Sequence, residues 1–153
     1  MAYCANTLRR SIPHATRLAG LGLLGLGAMS DKTFAACTGT APNFVCAGAE
    51  TSPQTISVSG PLSVTTTSGF GVNATGGSAL YIAGQDSVSY IDDNASALDS
   101  TDGYGLFMQT SPTGTGPVSL TIRTDGDISG AGGGIWVQGY GASSGDSVDI
   151  KAN

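Results

Sequence analysis

Apolar and polar positions alternate in short bursts along the second half of this chain, and the bursts recur. From Gly103 the chain reads G-Y-G-L-F-M-Q, then after a loop V-S-L-T-I-R-T-D-G-D-I-S-G, then G-G-G-I-W-V-Q, and after another loop S-V-D-I. Gly103, Gly105, Leu106 and Gln109 return as Gly132, Gly134, Ile135 and Gln138, each 29 positions on. Val118 and Leu120 return as Val148 and Ile150, 30 positions on. A recurrence of this size marks units that bury their apolar sides only against their neighbours. The pattern starts earlier, at Thr55, where Ile56, Val58, Leu62 and Val64 alternate with Ser and Thr around a break at Gly60-Pro61. Apolar residues alternating with hydroxyl residues are the mark of half-buried strands. Gly69 to Val72 and Gly77 to Leu80 read as forerunners of the Gly103 and Gly132 motif. Asn94 to Leu98 aligns with Thr124 to Ile128 at a step of 30, whereas Leu80 to Leu106 is a step of 26. Constant strand cores with an elastic period predict loops of variable length between rungs.

Each unit of 26–30 residues holds three apolar runs: a G-x-G-aliphatic run, a V-S-x-x-I run and a shorter D-x-aliphatic-S run. Three faces per turn predict an all-β protein, a right-handed parallel β-helix (β-solenoid) of about four coils in the residues after Ala36, with its repeats over residues 55–153. Leu106, Ile122, Ile128, Ile135, Val137 and Ile150 are the expected inward stack. Gly103, Gly105, Gly132 and Gly134 are expected to give tight corners and positive φ. An antiparallel β-sandwich is the rival architecture, but it has no need of a near-constant recurrence. The chain stops at Asn153 as a strand finishes and without a cap, so the solenoid is expected to be incomplete at its C-terminus.

The first 36 residues follow a different pattern. Arg9, Arg10 and Arg17 precede an uncharged apolar run, Leu18 to Met29, and the small residues Ala35 and Ala36 follow it. That is the layout of an export signal cut after Ala35 or Ala36. Twelve residues rise only ~18 Å as a helix against a hydrocarbon core of ~30 Å, so a membrane span is not expected. The Sec export machinery is the expected partner. Arg9-Arg10 raises a twin-arginine signal as the alternative, although Ser11-Ile-Pro-His14 lacks the hydrophobic continuation. Gly20, Gly22 and Gly25 match G-x-G-x-x-G but lie inside the signal core, not between a strand and a helix.

Residues 37–54 read as an N-terminal cap. With Cys4 lost in the signal, Cys37 and Cys46 remain, nine apart across a Gly/Pro/Asn turn. In an oxidising periplasm they are expected to pair and to lock a hairpin at the first rung. A lipoprotein is the competing reading, since Phe34-Ala35-Ala36-Cys37 resembles a lipobox.

Composition agrees with strands: Gly is used 24 times and only 11% of residues are charged. From Cys37 onward, two cations (Arg123 and Lys151) face ten acids, leaving the body at −8. Nucleic acid and anionic lipid are poor partners for that surface. No cofactor is implied, and two cysteines without a histidine do not close a metal shell. Gly141 to Gly145 matches G-x-S-x-G, but the single histidine, His14, lies in the signal, so the stretch reads as a loop. Asp125-Gly-Asp127 and Asp99 with Asp102 read as turns and complete no calcium loop. Tyr104, Phe107, Trp136 and Tyr140 fall on corresponding faces of successive rungs. They read as a stacked ladder, or as an exposed strip for carbohydrate.

The export signal, the stretch Ala35-Ala-Cys37-Thr-Gly-Thr40 leading to Val45-Cys-Ala-Gly48, the strand Pro53-Gln-Thr-Ile-Ser-Val58 and the glycine repeats together resemble the start of a bacterial autotransporter (type V secretion) passenger. The resemblance implies a β-solenoid carried to the cell surface, through the periplasm, by a C-terminal translocator barrel. That barrel is missing from these 153 residues, so the chain is expected to be the N-terminal part of such a protein or the product of a broken gene. No catalytic residue of the family's protease or esterase members maps here, which leaves an adhesive or structural role, with host or surface glycans as partners. An exported carbohydrate-active β-helix enzyme is the alternative.

Overall fold

The computed structural model describes residues 36–111, 116–139 and 145–153, and every regular element among them is a β-strand. A hairpin comes first. β1 (Ala36–Thr40) runs antiparallel to β2 (Asn43–Ala47), with Cys37 opposite Cys46. From β2 onward the chain winds. β2, β3 (Ala49–Glu50) and β4 (Gln54–Ser57) make the first rung, so the cap outside the rungs is β1. β5 (Leu62–Thr66), β6 (Gly71–Ala74) and β7 (Leu80–Gly84) make the second. β8 (Ser87–Asp92), β9 (Ala97–Ser100) and β10 (Tyr104–Thr110) make the third. β11 (Ser119–Thr124), β12 (Ile128–Gly130) and β13 (Gly133–Gly139) make the fourth, and β14 (Ser147–Ala152) begins another.

Equivalent strands stack into three sheets. Sheet I is β1-β2-β5-β8-β11-β14, sheet II is β3-β6-β9-β12 and sheet III is β4-β7-β10-β13. All pairing between rungs is parallel, and among the described residues only the hairpin is antiparallel. The fold is therefore a parallel β-solenoid of about four turns, and the sandwich is excluded.

The registers explain the elastic period. Leu80, Leu106 and Ile135 align across sheet III, and Leu98 aligns with Ile128 in sheet II, as the sequence repeat requires. One alignment is corrected. Leu120 pairs with Val148 and Ile122 with Ile150, a slip of two from the 30-residue match. Side chains in a strand repeat every two residues, so a slip of two keeps the apolar set inward and the sequence pattern cannot tell the two registers apart. Gly69 to Val72 is also reassigned. It leads into β6, where Val72 pairs with Leu98 in sheet II, because a small residue before an aliphatic one marks any corner entering a strand.

Inward columns fill the interior: Leu62-Val88-Leu120, Val64-Tyr90-Ile122, Leu80-Leu106 and Ile82-Met108 are all buried. Each fully buried aliphatic side chain contributes roughly 1.5–3 kcal/mol. Of the expected inward stack, Leu106 and Ile122 are fully buried, while Ile128, Ile135 and Val137 are half-buried. Ile150 is 48% exposed and Val148 is 58% exposed, because no further strand covers β14 among the described residues.

The motif glycines serve space, not backbone angle. Gly103, Gly105, Gly132 and Gly134 all lack positive φ; among the glycines at these corners, Gly77 and Gly133 have it. A Cβ on Gly105 would sit 2.6 Å from the Ile128 side chain and from the Ser129 carbonyl oxygen, and one on Gly103 would sit 2.4 Å from the backbone of Gly77. The rungs touch backbone to backbone at these corners, and a side chain would force them apart.

Candidate functional site

Outward positions on sheet III form one continuous feature. Tyr81, Phe107 and Trp136 occupy one register column, each on the strand above the last. The Tyr81 and Phe107 rings meet edge-on at 5.1 Å, and Phe107 and Trp136 meet edge-on at 6.4 Å. Tyr104 closes the group, 5.9 Å from Phe107 and 5.0 Å from Trp136. Its ring lies over Gly132 and Gly133: an added Cβ would press on it at 3.3 Å at Gly132 and touch it at 3.6 Å at Gly133. Parallel strands stack ~4.8 Å apart, so one aromatic per strand at the same register yields a ridge along the solenoid axis. Trp136 is 44% exposed and stands at its open end.

A second outward column runs beside the first. Gln109 aligns with Gln138, two positions on from Phe107 and Trp136. The Tyr81 hydroxyl donates to Gln109 Oε1 at 3.1 Å, fixing the amide against the ridge. Ser57, Tyr81, Gln85, Gln109 and Ser111 line a polar cleft of about 190 Å³ alongside. No residue of β4, β7, β10 or β13 is charged. Sheets I and II, by contrast, carry Glu50, Asp92, Asp99, Arg123, Asp149 and Lys151.

Sequence reasoning placed Tyr104, Phe107 and Trp136 together, and the fold brings them together; Tyr140 lies outside the described residues. Tyr81 was missed. The 26-residue step from Leu80 to Leu106 carries Tyr81 onto Phe107, so the signal was there. Of the repeat residues, Gln109 and Gln138 face this site, Leu106 and Ile135 line the interior behind it, and Gly103, Gly105, Gly132 and Gly134 shape its edge. Cys37 and Cys46 form a disulfide in the hairpin, at the other end of the stack. Ala36 opens β1, whereas residues 1–35, expected from the sequence to be an export signal, and residues 141–144 of the G-x-S-x-G match lie outside the described residues.

Two other depressions lie on the outer faces. One of about 200 Å³ on sheet I is lined by hydroxyls, among them Ser63, Ser89, Ser119 and Thr121. The other, about 260 Å³ on sheet II, is flanked by Glu50 and Asp99. Those two acids sit two rungs apart in sheet II, and their registers differ by one residue. Asp99 already accepts a hydrogen bond from Ser129 Oγ at 2.6 Å. The turn acids are engaged in the same way: Asp102 Oδ2 accepts from the Gly76 amide at 2.8 Å, and Asp125 Oδ1 accepts from Asn153 Nδ2 at 2.8 Å. No cluster of three or more potential metal ligands exists among the described residues.

The described residues hold one buried acid, which the sequence did not single out. Asp92 lies inside the corner between sheets I and II, in a column with Thr66 below and Thr124 above. Burial by itself would push its carboxyl up. Hydrogen bonds from the Thr66 and Ser96 hydroxyls and from the Asn94 and Ser96 amides outweigh that and hold it below the usual carboxylate range. This group pins the turn at Ala95, whose φ is 54°, and shows no opening to solvent. It is a structural bracket between rungs.

No protein family, curated protein or solved structure matches this chain.

Proposed function

We propose that this chain is an exported β-solenoid, displayed at the cell surface or released, with an adhesive or structural role like that of an autotransporter passenger. The aromatic ridge on sheet III carries the reading. A rigid stack that turns four rings outward on one uncharged face suits contact better than catalysis, since large aromatics dominate the energetics of binding surfaces. The sequence adds the export layout of residues 1–36 and a cysteine pair suited to an oxidising compartment. A translocator barrel encoded downstream would be the means of display.

The test is to express the full gene in its natural reading frame and follow the chain by intact mass, cell fractionation and protease treatment of whole cells. The expected product lacks the residues up to Ala35 or Ala36, is two protons lighter than its reduced form and is cut by external protease. A chain that keeps its N-terminus and stays in the cytosol with free thiols would sink the proposal. An acyl mass at Cys37 would replace surface display by a lipid anchor.

A further inference from the structure

We infer that the outer face of sheet III binds a neutral polysaccharide chain, laid along the solenoid axis across β7, β10 and β13. This rests on the adhesive reading and names its ligand class. Three independent features of the face agree. The first is its charge: the four strands of sheet III carry no charged residue, in a body of net charge −8 from Cys37 onward. An anionic polymer is repelled by the surroundings and finds no cation on the face, and a cationic one finds no carboxylate there.

The second is the kind of group displayed. A sugar ring has C–H faces that are apolar and an equator of hydroxyls. Tyr81, Tyr104, Phe107 and Trp136 offer apolar ring surface, and Gln109 and Gln138 offer amides that both donate and accept. The Tyr81 hydroxyl takes up Gln109 Oε1, which leaves the amide nitrogen to donate to a ligand hydroxyl. Aromatic walls with a few placed polar groups are the usual composition of a small-molecule site.

The third is repetition. The rings step by 5.1 and 6.4 Å along the column, so a linear polymer meets a fresh ring at each rung. A single sugar would touch one or two rings; a chain gains from all of them.

Trp136 is the single tryptophan of the chain, so its emission reports this face alone. The experiment uses the purified full chain. Cellohexaose is titrated against Trp136 fluorescence, and affinity electrophoresis is run in gels containing soluble neutral glucan, galactomannan or anionic polygalacturonate. A saturable emission change and retardation by at least one neutral polymer are expected, with none by polygalacturonate. Phe107→Ala and Gln109→Ala are expected to weaken retardation at least tenfold, while Asp99→Asn on sheet II leaves it unchanged. Should Phe107→Ala misfold by circular dichroism, Trp136→Ala replaces it in the gels, since that side chain is half in solvent.

Retardation by polygalacturonate alone, no retardation by any neutral polymer, or retardation that survives both Phe107→Ala and Gln109→Ala would overturn the inference. So would dimerisation that Trp136→Ala abolishes, because the face would then be covered by a second copy. A chain that is displayed on cells yet binds no neutral glycan refutes this inference and leaves the proposed function standing. A chain that binds glycan yet is never exported does the reverse.

Discussion

Tyr90 and Asp92 are two residues apart on β8, both turned inward, and opposite in how well they are served. Asp92 has five hydrogen-bond donors, whereas the Tyr90 hydroxyl has no partner among the described residues. Burial first, and the Asp92 charge second, push the Tyr90 phenol up, so it stays neutral. An orphaned buried hydroxyl costs ~1 kcal/mol or more. Tyr90→Phe is therefore expected to leave stability unchanged or raise it by up to ~1 kcal/mol, read from the urea midpoint. Asp92→Asn is expected to cost ~2 kcal/mol or more, since hydrogen bonds to a charged acceptor are lost and donors are left unpaired. The pH dependence follows from the lowered carboxyl. Its contribution is complete above the unfolded value of about 4 and is lost as pH falls through and below it. Urea midpoints for the wild type should fall between pH 5 and 3 more steeply than those of Asp92→Asn; parallel curves would contradict this assignment. An acid reads as surface in a sequence, so Asp92 looked like any other turn acid. The parity of Val88, Tyr90 and Asp92 carried the information, and only its chemistry argued against using it.

At the scale of elements, the strands were legible and their neighbours less so. The G-x-G-aliphatic runs became β10 and β13 at the expected spacing because strand cores cannot shift without turning side chains to the wrong face. The β11–β14 register escaped because a slip of two leaves no trace in the hydrophobic pattern. The ridge was half legible for a related reason: aromatics on one face could be grouped, but Tyr81 joins them only once its step to Phe107 is known to be 26. Two predictions belong here. Gly105→Ala should destabilise by ~1–3 kcal/mol, the usual cost of overpacking, with the loss visible in thermal denaturation. Reducing the Cys37–Cys46 bond, which closes a short loop, should remove ~2–3 kcal/mol and act locally. Amides of β1 should then exchange faster while those of β8 are unaffected, by hydrogen exchange with mass spectrometry.

For the molecule as a whole, a stack is stable by the sum of its interfaces, so stability grades along it. β8 has strands on both sides, and β14 pairs only with β11 among the described residues. Hydrogen exchange should be slowest in β8 and faster in β14, with Val148 and Ile150 reporting the loose end. Uniform protection would mean that something else covers β14. Circular dichroism of residues 37–153 should show a β minimum and almost no helix.

The uneven coil length has a practical side. Spacers that return the chain from sheet III to sheet I are 58–61, 85–86, 111–118 and 140–146. They differ several-fold in length, yet the strands on either side stay in register. That corner is a tolerant splice point: a foreign peptide inserted there would leave the paired strands on either side undisturbed, though Gln85 and Ser111 border the cleft beside the ridge. The solenoid is thus a ready carrier for grafted epitopes, and the side whose spacer length varies is where cargo can be added.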